Sequence, residues 1–417
     1  MKTLLINPPF FRFLGAEQDY IPLSLMAVGS KMSADGDEIY LKNMEVGENM
    51  HYAGYSERGD QYDLFLKALT NLDNPIWKEL RATIEDINPD KIGINVLNVK
   101  YKSALQVISI AQDMGIPVVV GGNHPTLEPL SYPSGVDVSL GEFEGTTGRL
   151  RHLDELPMPN YDMLLDKYSP NGYGHLLSSR GCPHLCKFCA SSVMWGRKVT
   201  FKSIDRILLE MSDIYTNFGT DYFTFWDETF TLNKKRIFEF CDKYSLPAKW
   251  RCDTRADSIT DEMVKRMKEA NCGQMSIGIE SGDDNILSLI GKNETTEDFV
   301  RAADILNKHG IQWKAYMIIG FPSDTEDGIR KSVEFVKSLK PFRLTLSIFT
   351  PYAGTELYDE CVELGMIGED FDESKYSHQS PHNNFTKHIS NEAFTKIREW
   401  ASKEIDDYNT EALKTWV

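Results

Sequence analysis

Short apolar runs alternate with helix-spaced apolar residues over the first third of the chain. Thr3–Ile6 is a continuous run, after which Leu25, Val28 and Met32 recur at helical spacing. Glu38–Leu41, Ile92–Val96, Val118–Val120 and Val136–Leu140 are further short runs of strand type, and Ala104, Ile108 and Ala111 share one helix face. Residues 43–62 form a polar stretch rich in Gly, Asn and Tyr. Strands alternating with helices in this way, joined by right-handed crossovers, predict an α/β fold with a doubly wound, Rossmann-like parallel sheet over residues 1–150.

The pattern lapses at residues 151–170 (RHLDELPMPNYDMLLDKYSP), where prolines, mixed charge and no sustained periodicity predict a linker. Alternation then resumes, with strands expected near 175–179, 222–226, 248–252, 274–279, 313–318 and 342–349. Six βα units without a nucleotide-type glycine fingerprint predict a partial (β/α)6 barrel of TIM type over residues 171–365. From 366 to 417 the chain is acidic, then polar (HQSPHNN), then amphipathic around Phe394, Ile397 and Ala401, which predicts a C-terminal tail with a helix.

Both folds gather ligands at the carboxyl ends of their strands. In the first sheet those ends read NPPF (Asn7–Phe10), NVLN (Asn95–Asn98), GGNHPT (Gly121–Thr126) and GEFEG (Gly141–Gly145). Any one of these is a tight turn; four at one edge mark a ligand site. Paired glycines let a backbone approach a ligand closely.

Composition narrows the partners. The 417 residues are 41% hydrophobic and 26% charged, the profile of a globular chain. No apolar run approaches the length of a membrane span. The opening MKTLLINPPF stops its apolar run at Asn7-Pro8-Pro9, as a strand does and a signal peptide does not. A net charge of −17 with no basic stripe argues against nucleic acid and anionic membranes and makes a highly anionic substrate the less expected kind. Residues 1–181 contain no cysteine, so a reducing, cytoplasmic setting is expected.

Three of the seven cysteines are crowded into RGCPHLCKFCA: Cys182, Cys186 and Cys189, at C-x3-C-x2-C spacing just after the first barrel strand. A closed four-thiolate site usually shows two CxxC pairs, and no second pair exists. Three thiolates hold three irons of a 4Fe–4S cube and leave the fourth iron open to another ligand. His184, inside the trio, reads as loop filler. Cys241, Cys252, Cys272 and Cys361 are scattered singly and read as small buried hydrophobes.

This trio, with an aromatic Phe188 before its last cysteine, resembles the signature of the radical S-adenosylmethionine (SAM) enzymes. The resemblance implies a cluster whose open iron chelates SAM and cleaves it to a 5′-deoxyadenosyl radical. It also implies an electron donor such as flavodoxin or ferredoxin. FWDETF (Phe225–Phe230) stands where the family carries an acidic motif, so Asp227 and Glu228 are expected to receive the SAM ammonium. WRCDTRAD (Trp250–Asp257) offers Arg255 for the SAM carboxylate. SIGIESGDDNIL (Ser276–Leu287) offers Glu280 for the ribose hydroxyls, assisted by Ser281. MIIGFPSDTED (Met317–Asp327) is similar to the strand end that lines the adenine.

The strand-end turns of the first domain resemble the cobalamin-binding domain that precedes the barrel in one radical SAM subfamily. Asn7, Pro8, Asn95, Gly121, Gly122, His124 and Glu142 are its expected contacts, with the corrin across the carboxyl edge of the sheet and both glycines beneath it. His124 is expected to bond a corrin amide or to approach cobalt. The Asp-x-His-x-x-Gly motif that supplies an axial histidine is absent. The resemblance implies cobalamin-dependent methyl transfer to an unactivated carbon of a small molecule. Two alternatives stay open: a cobalamin-independent radical SAM oxidoreductase or cyclase, and a non-catalytic iron–sulfur protein, which would make no 5′-deoxyadenosine. A sulfur-inserting enzyme with a second cluster is excluded by the cysteine-free first domain.

Overall fold

The structure, a computed structural model, describes residues 1–16, 18–47, 55–141, 150–369, 371, 377–378 and 380–415. Two compact units divide the chain, the main boundary falling between Tyr173 and Gly174, with the first turn of the helix that begins at Tyr55 grouped with the second unit.

The first unit runs β1 (Lys2–Asn7), α1 (Leu23–Ala34), β2 (Glu38–Asn43), α2 (Tyr55–Thr70), α3 (Pro75–Ile87), β3 (Lys91–Asn95), α4 (Tyr101–Asp113), β4 (Val118–Gly121), α5 (Asn123–Leu127) and β5 (Val136–Val138). Its strands form one parallel sheet in the order β2-β1-β3-β4-β5. Strand alternation fills both faces. Leu4 and Ile6 of β1 pack with Trp77, Leu80 and Ile108 on one side, and Leu5 packs with Leu25, Leu41 and Met163 on the other. Each large side chain so buried contributes roughly 1.5–3 kcal/mol.

Three helices, α2, α3 and the short α5, were not among the predicted elements. Part of α2 falls in the stretch read as polar. α3 carried its own signals: Asn74 accepts from Ile76 N at 3.0 Å, Pro75 fills the first turn, and Trp77, Leu80, Ile84 and Ile87 line one buried face.

Residues 151–170 are tied down rather than loose. Leu164 bridges to Leu41 of β2, and Leu165 N donates to Leu41 O at 3.0 Å. The Asp166 carboxylate accepts from Asn43 N at 2.7 Å and pairs with Lys42 at 2.5 Å. Met163, 3% exposed, completes the core on the α1 side. The segment therefore straps the edge strand of the sheet.

The second unit contains β6 (His175–Leu176), β7 (Ser179–Arg180), α6 (Ser191–Trp195), β8 (Thr200–Phe201), α7 (Ile204–Phe218), β9 (Tyr222–Phe225), α8 (Lys234–Lys243), β10 (Lys249–Thr254), α9 (Asp261–Glu269), β11 (Cys272–Glu280), α10 (Asp284–Leu289), α11 (Thr296–Lys308), β12 (Gln312–Ile319), α12 (Glu326–Ser338), β13 (Arg343–Ile348), α13 (Glu356–Glu363) and α14 (Asn391–Thr415). Six parallel strands lie in the order β13-β12-β11-β10-β9-β6, the partial barrel expected; β7 and β8 form a separate antiparallel pair. β10, β12 and β13 alternate strictly. On β12, Trp313, Ala315, Met317 and Ile319 are buried, whereas Gln312, Lys314, Tyr316 and Ile318 are partly exposed on the other face. α14 buries Phe394, Ile397, Ala401 and Ile405. Its Asn409 closes the edge of β13, accepting from Leu344 N at 2.8 Å and donating to Leu344 O at 3.0 Å.

Candidate functional site

The cysteine loop leaves β7 at Arg180 and ends at α6. The end of β9 holds its start: the Glu228 carboxylate accepts from Gly181 N at 3.1 Å and from Ser191 Oγ at 3.3 Å, and Thr229 Oγ1 lies 3.9 Å from Cys182 Sγ. The far side is pinned by Lys187, whose N donates to Ile290 O at 2.8 Å and whose O accepts from Leu357 N at 3.1 Å. Gly291 permits that approach. Its φ is +69°, and a Cβ there would stand 2.7 Å from Leu185 O.

Cys182, Cys186 and Cys189 are partly exposed and unbonded to one another. Burial raises the Cys186 thiol, with Lys292 and Arg255 pulling it back, and burial raises Cys189 to about 11. Among the described residues no three His, Cys, Asp or Glu side chains converge on a single metal ion. Three thiolates that each take a different corner of a cube need not meet at one point. Cationic groups within reach of the loop suit a thiolate-held cluster: Arg255 Nη1 stands 3.9 Å from Cys186 Sγ.

Arg255 belongs to a buried chain of charges. Its Nη2 meets Glu294 Oε2 at 3.0 Å and Asp257 Oδ2 at 3.0 Å, and donates to Lys292 O at 2.9 Å. Lys292 Nζ lies 3.4 Å from Glu294 Oε2 and 3.3 Å from Glu280 Oε1. Glu280 ends β11 with φ +66°, a left-handed conformation that costs a non-glycine residue roughly 1–2 kcal/mol. Its carboxylate folds back over Gly278, where any Cβ would collide with Oε1. Lys292 is its single hydrogen-bond donor among the described residues, and Glu280 is only 8% exposed. A buried carboxylate with most of its acceptor sites unfilled fits a hydroxyl-bearing ligand. Lys292 and Glu294 escaped the sequence reading because GKNETT looks like a polar turn.

The other expected SAM contacts divide. Phe188 faces the ring of Phe321, just beyond β12, at 5.6 Å and 56°. Asp227 differs from expectation: it is 2% exposed, with Ser178 N at 2.7 Å, Ser178 Oγ at 2.6 Å and Ser179 Oγ all donating to it. These bonds join the end of β9 to Ser178 and to Ser179 at the start of β7 and take up most of the carboxylate's acceptor sites. Ser281 Oγ lies 3.2 Å from Ser332 Oγ and accepts from Asp283 N at 3.2 Å, a local turn contact.

The residues expected around cobalamin also divide. His124 is fully buried, 2.8 Å from the Tyr132 hydroxyl through Nδ1 and stacked on Tyr101 at 4.1 Å. It is packed as a core histidine, with Nδ1 taken by the Tyr132 hydroxyl. Asn7, 4% exposed, donates to Asn43 Oδ1 at 2.7 Å and accepts from Lys100 Nζ at 2.9 Å; Lys100 in turn pairs with Glu45 at 2.7 Å. Pro8 is buried beside it. Gly122 needs no ligand to explain it: φ is +106°, and a Cβ would stand 2.5 Å from Asn95 Oδ1. Asn95 is half-buried beneath it. Glu142 lies outside the described residues. Gly121 is different, since a Cβ there would find only Ser139 at 3.7 Å. Gly121, Ser139 and Gly141 leave an uncluttered backbone edge that fits the broad face of a corrin.

Comparison with known proteins agrees with both halves. A model described as the radical SAM superfamily matches residues 176–336, and one described as the B12 binding domain matches residues 14–151. An uncharacterized methyltransferase of Pyrococcus horikoshii is 30% identical over 336 residues, covering 70% of this chain and 73% of that protein. The anaerobic magnesium-protoporphyrin IX monomethyl ester cyclase of Rubrivivax gelatinosus is 23% identical, over 79% of this chain and 68% of its own. The solved structure of the radical SAM methyltransferase TsrM from Kitasatospora setae superposes with a TM-score of 0.70 at 15% identity, covering 96% of this chain and 88% of that one. The cysteine loop at the head of a partial barrel, the parallel sheet before it and these matches lead to one conclusion: the chain belongs to the radical SAM superfamily, in the group that carries an N-terminal B12-binding domain.

Proposed function

We propose that the protein transfers a methyl group to an unactivated carbon of a small-molecule substrate. The observation that carries this reading is the pairing, in one chain, of a three-cysteine loop and a B12-binding domain. When bound, the 4Fe–4S cluster with SAM supplies radical chemistry and cobalamin supplies a transferable methyl group.

Cys182, Cys186 and Cys189 would hold the cluster. Glu228 orders the loop from below through Gly181 N. Glu280, held by Lys292, presents acceptors to the ribose hydroxyls of SAM, and Phe188 with Phe321 offers an apolar wall for its adenine. Arg255 is already shared among Glu294, Asp257 and Lys292 O, so its part is to hold positive charge beside Cys186. Gly121 marks the edge along which the corrin would lie. An electron donor of flavodoxin or ferredoxin type would reduce the cluster. No helix among the described residues is long and apolar enough to cross a membrane.

The test is anaerobic reconstitution after expression with ample cobalamin, followed by SAM carrying a labelled methyl group and a reductant. Label recovered on protein-bound cobalamin, together with 5′-deoxyadenosine, is the expected result. Formation of 5′-deoxyadenosine without label on cobalamin would favour a cyclase or oxidoreductase instead, the reading that similarity to the Rubrivivax cyclase supports.

A further inference from the structure

The faces of β9–β13 turned away from the helices carry charge where a filled barrel would carry packed aliphatic layers. Register aligns Arg251 of β10 with Gln274 of β11, and Asp253 with Ser276. Ser276 is aligned with Lys314 of β12, and Lys314 with Arg343 of β13. Four adjacent strands thus bring two guanidiniums and an ammonium to one patch, with Asp253 as the carboxylate among them.

The donors in this patch are largely unspent. Among the described residues Lys314 makes no hydrogen bond or ion pair; its ammonium lies 5.8 Å from the centre of the Tyr316 ring. Arg251 uses Nε on Thr224 Oγ1 at 2.9 Å and rests over Trp226 at 5.8 Å, without a carboxylate in contact. Gln274 Nε2 is buried with no partner. Ser276 Oγ is buried without a hydrogen bond of normal length and angle, although the Asp253 carboxyl and the Tyr316 phenol lie close enough to feel it. Burial, then Arg251 and Arg343, push the Lys314 amine down to about 8 against the opposing pull of Asp253. Nothing in the packing of the fold requires a cation here, and unpaired buried donors are costly. An acceptor-rich, negatively charged group would satisfy all four.

We propose that this patch is a subsite for an anionic group of the substrate, a carboxylate or a phosphate, with Lys314 and Arg251 supplying charge and Gln274 and Ser276 supplying neutral hydrogen bonds. Glu280 lies four residues further along β11, past a register shift after Gly278, which at strand rise is on the order of 10 Å nearer the carboxyl end. The assignment deepens the functional reading above and rests on it only in calling the occupant a substrate.

Pyridoxal 5′-phosphate tests it on the reconstituted, cluster-bearing protein. The neutral Lys314 amine condenses with the aldehyde, water leaves, and borohydride reduces the imine to a stable secondary amine that is located by peptide mass spectrometry. Lys314 should label at least about tenfold faster than with pyridoxal, which lacks the phosphate, a difference of about 1.4 kcal/mol in barrier. Inorganic phosphate or succinate should protect it, and the better protector tells phosphate from carboxylate. Arg251→Gln should slow labelling at Lys314 several-fold with an unchanged circular dichroism spectrum, and Lys314→Met should lose the labelled peptide alone. Equal rates with the two aldehydes, absence of label at Lys314, or protection by neither anion would overturn the subsite. Methyl label on cobalamin is read in a separate assay, so either proposal can fail without the other.

Discussion

Lys292 lies 3.3 Å from Glu280, and that contact joins a left-handed strand end to the buried charges around Arg255. Burial disfavours the ammonium, but Glu280 and Glu294 outweigh it and raise Lys292 above its ordinary value. Lys292→Met leaves two buried carboxylates short of a counter-charge. Breaking a buried pair in this way costs roughly 3–5 kcal/mol, so the melting temperature should fall by several degrees. Glu280→Gln keeps the volume and should weaken SAM binding by roughly ten- to a hundredfold, the loss of a charge-assisted hydrogen bond of about 1.5–3 kcal/mol, with iron content unchanged. Unchanged SAM affinity in titration calorimetry would leave Glu280 a structural residue.

The cluster assignment is checked by iron analysis. Reconstituted wild-type protein should hold about four irons, and the triple replacement of Cys182, Cys186 and Cys189 by Ala essentially none. Cys241→Ala should keep the full complement. Comparable iron loss from Cys241→Ala would end the assignment.

Asp227 and Glu228 are neighbours with different tasks. Asp227→Asn turns an NH2 toward groups that donate, and leaving a buried donor unsatisfied costs about 1–3 kcal/mol. The expected outcome is a lower melting temperature with SAM affinity near wild type at low temperature. A variant that melts normally but binds SAM poorly would return Asp227 to the binding site.

Two adjacent glycines separate fold from cofactor. Gly122→Ala forces a Cβ at φ +106° into contact with Asn95 and should destabilise by at least about 1 kcal/mol. Gly121→Val is accommodated by the strand and should melt within a few degrees of wild type, yet release cobalamin. Full cobalamin retention by Gly121→Val would move the corrin off this edge.

Asp324 supplies a pH signature. Its Oδ2 accepts from Gly320 N at 2.8 Å and Phe321 N at 3.0 Å, and burial lifts the carboxyl to about 7. The folded state then holds the proton more tightly than the unfolded chain. Stability from this group is complete below the unfolded value of 3.8 and is lost as pH rises toward about 7. Asp324→Asn keeps an acceptor and carries no such loss. Relative to wild type it should gain on the order of 2 kcal/mol between about pH 5 and about pH 8. A pH-independent difference in melting temperature would contradict the assignment.

The strand ladder of both units was legible because alternation and turn residues are local signals. Thr3–Ile6, Val118–Val120 and 313–318 all fall within observed strands. The cysteine trio was legible because three thiols at that spacing have few other uses. What a side chain points at was not. His124 and Asp227 carry the right chemistry at the right strand ends, yet Tyr132, eight residues on, and Ser178, 49 residues back, take up their polar atoms, and no local pattern advertises either contact. Lys292 and Glu294 show the converse. Their environment comes from Arg255 and Glu280, brought in by two other strands, so a six-residue polar string conceals a buried ion network.

The strap along β2 bears on where the first domain can be cut free. An excised fragment ending at residue 150 would lose Met163 from its core and uncover the backbone of Leu41 and Asn43, an open strand edge able to recruit another copy. A fragment carried on to Tyr173 brings its own edge cover with it. The shorter piece should aggregate and the longer one stay monodisperse, because the apparent tether is the last layer of the sheet it follows.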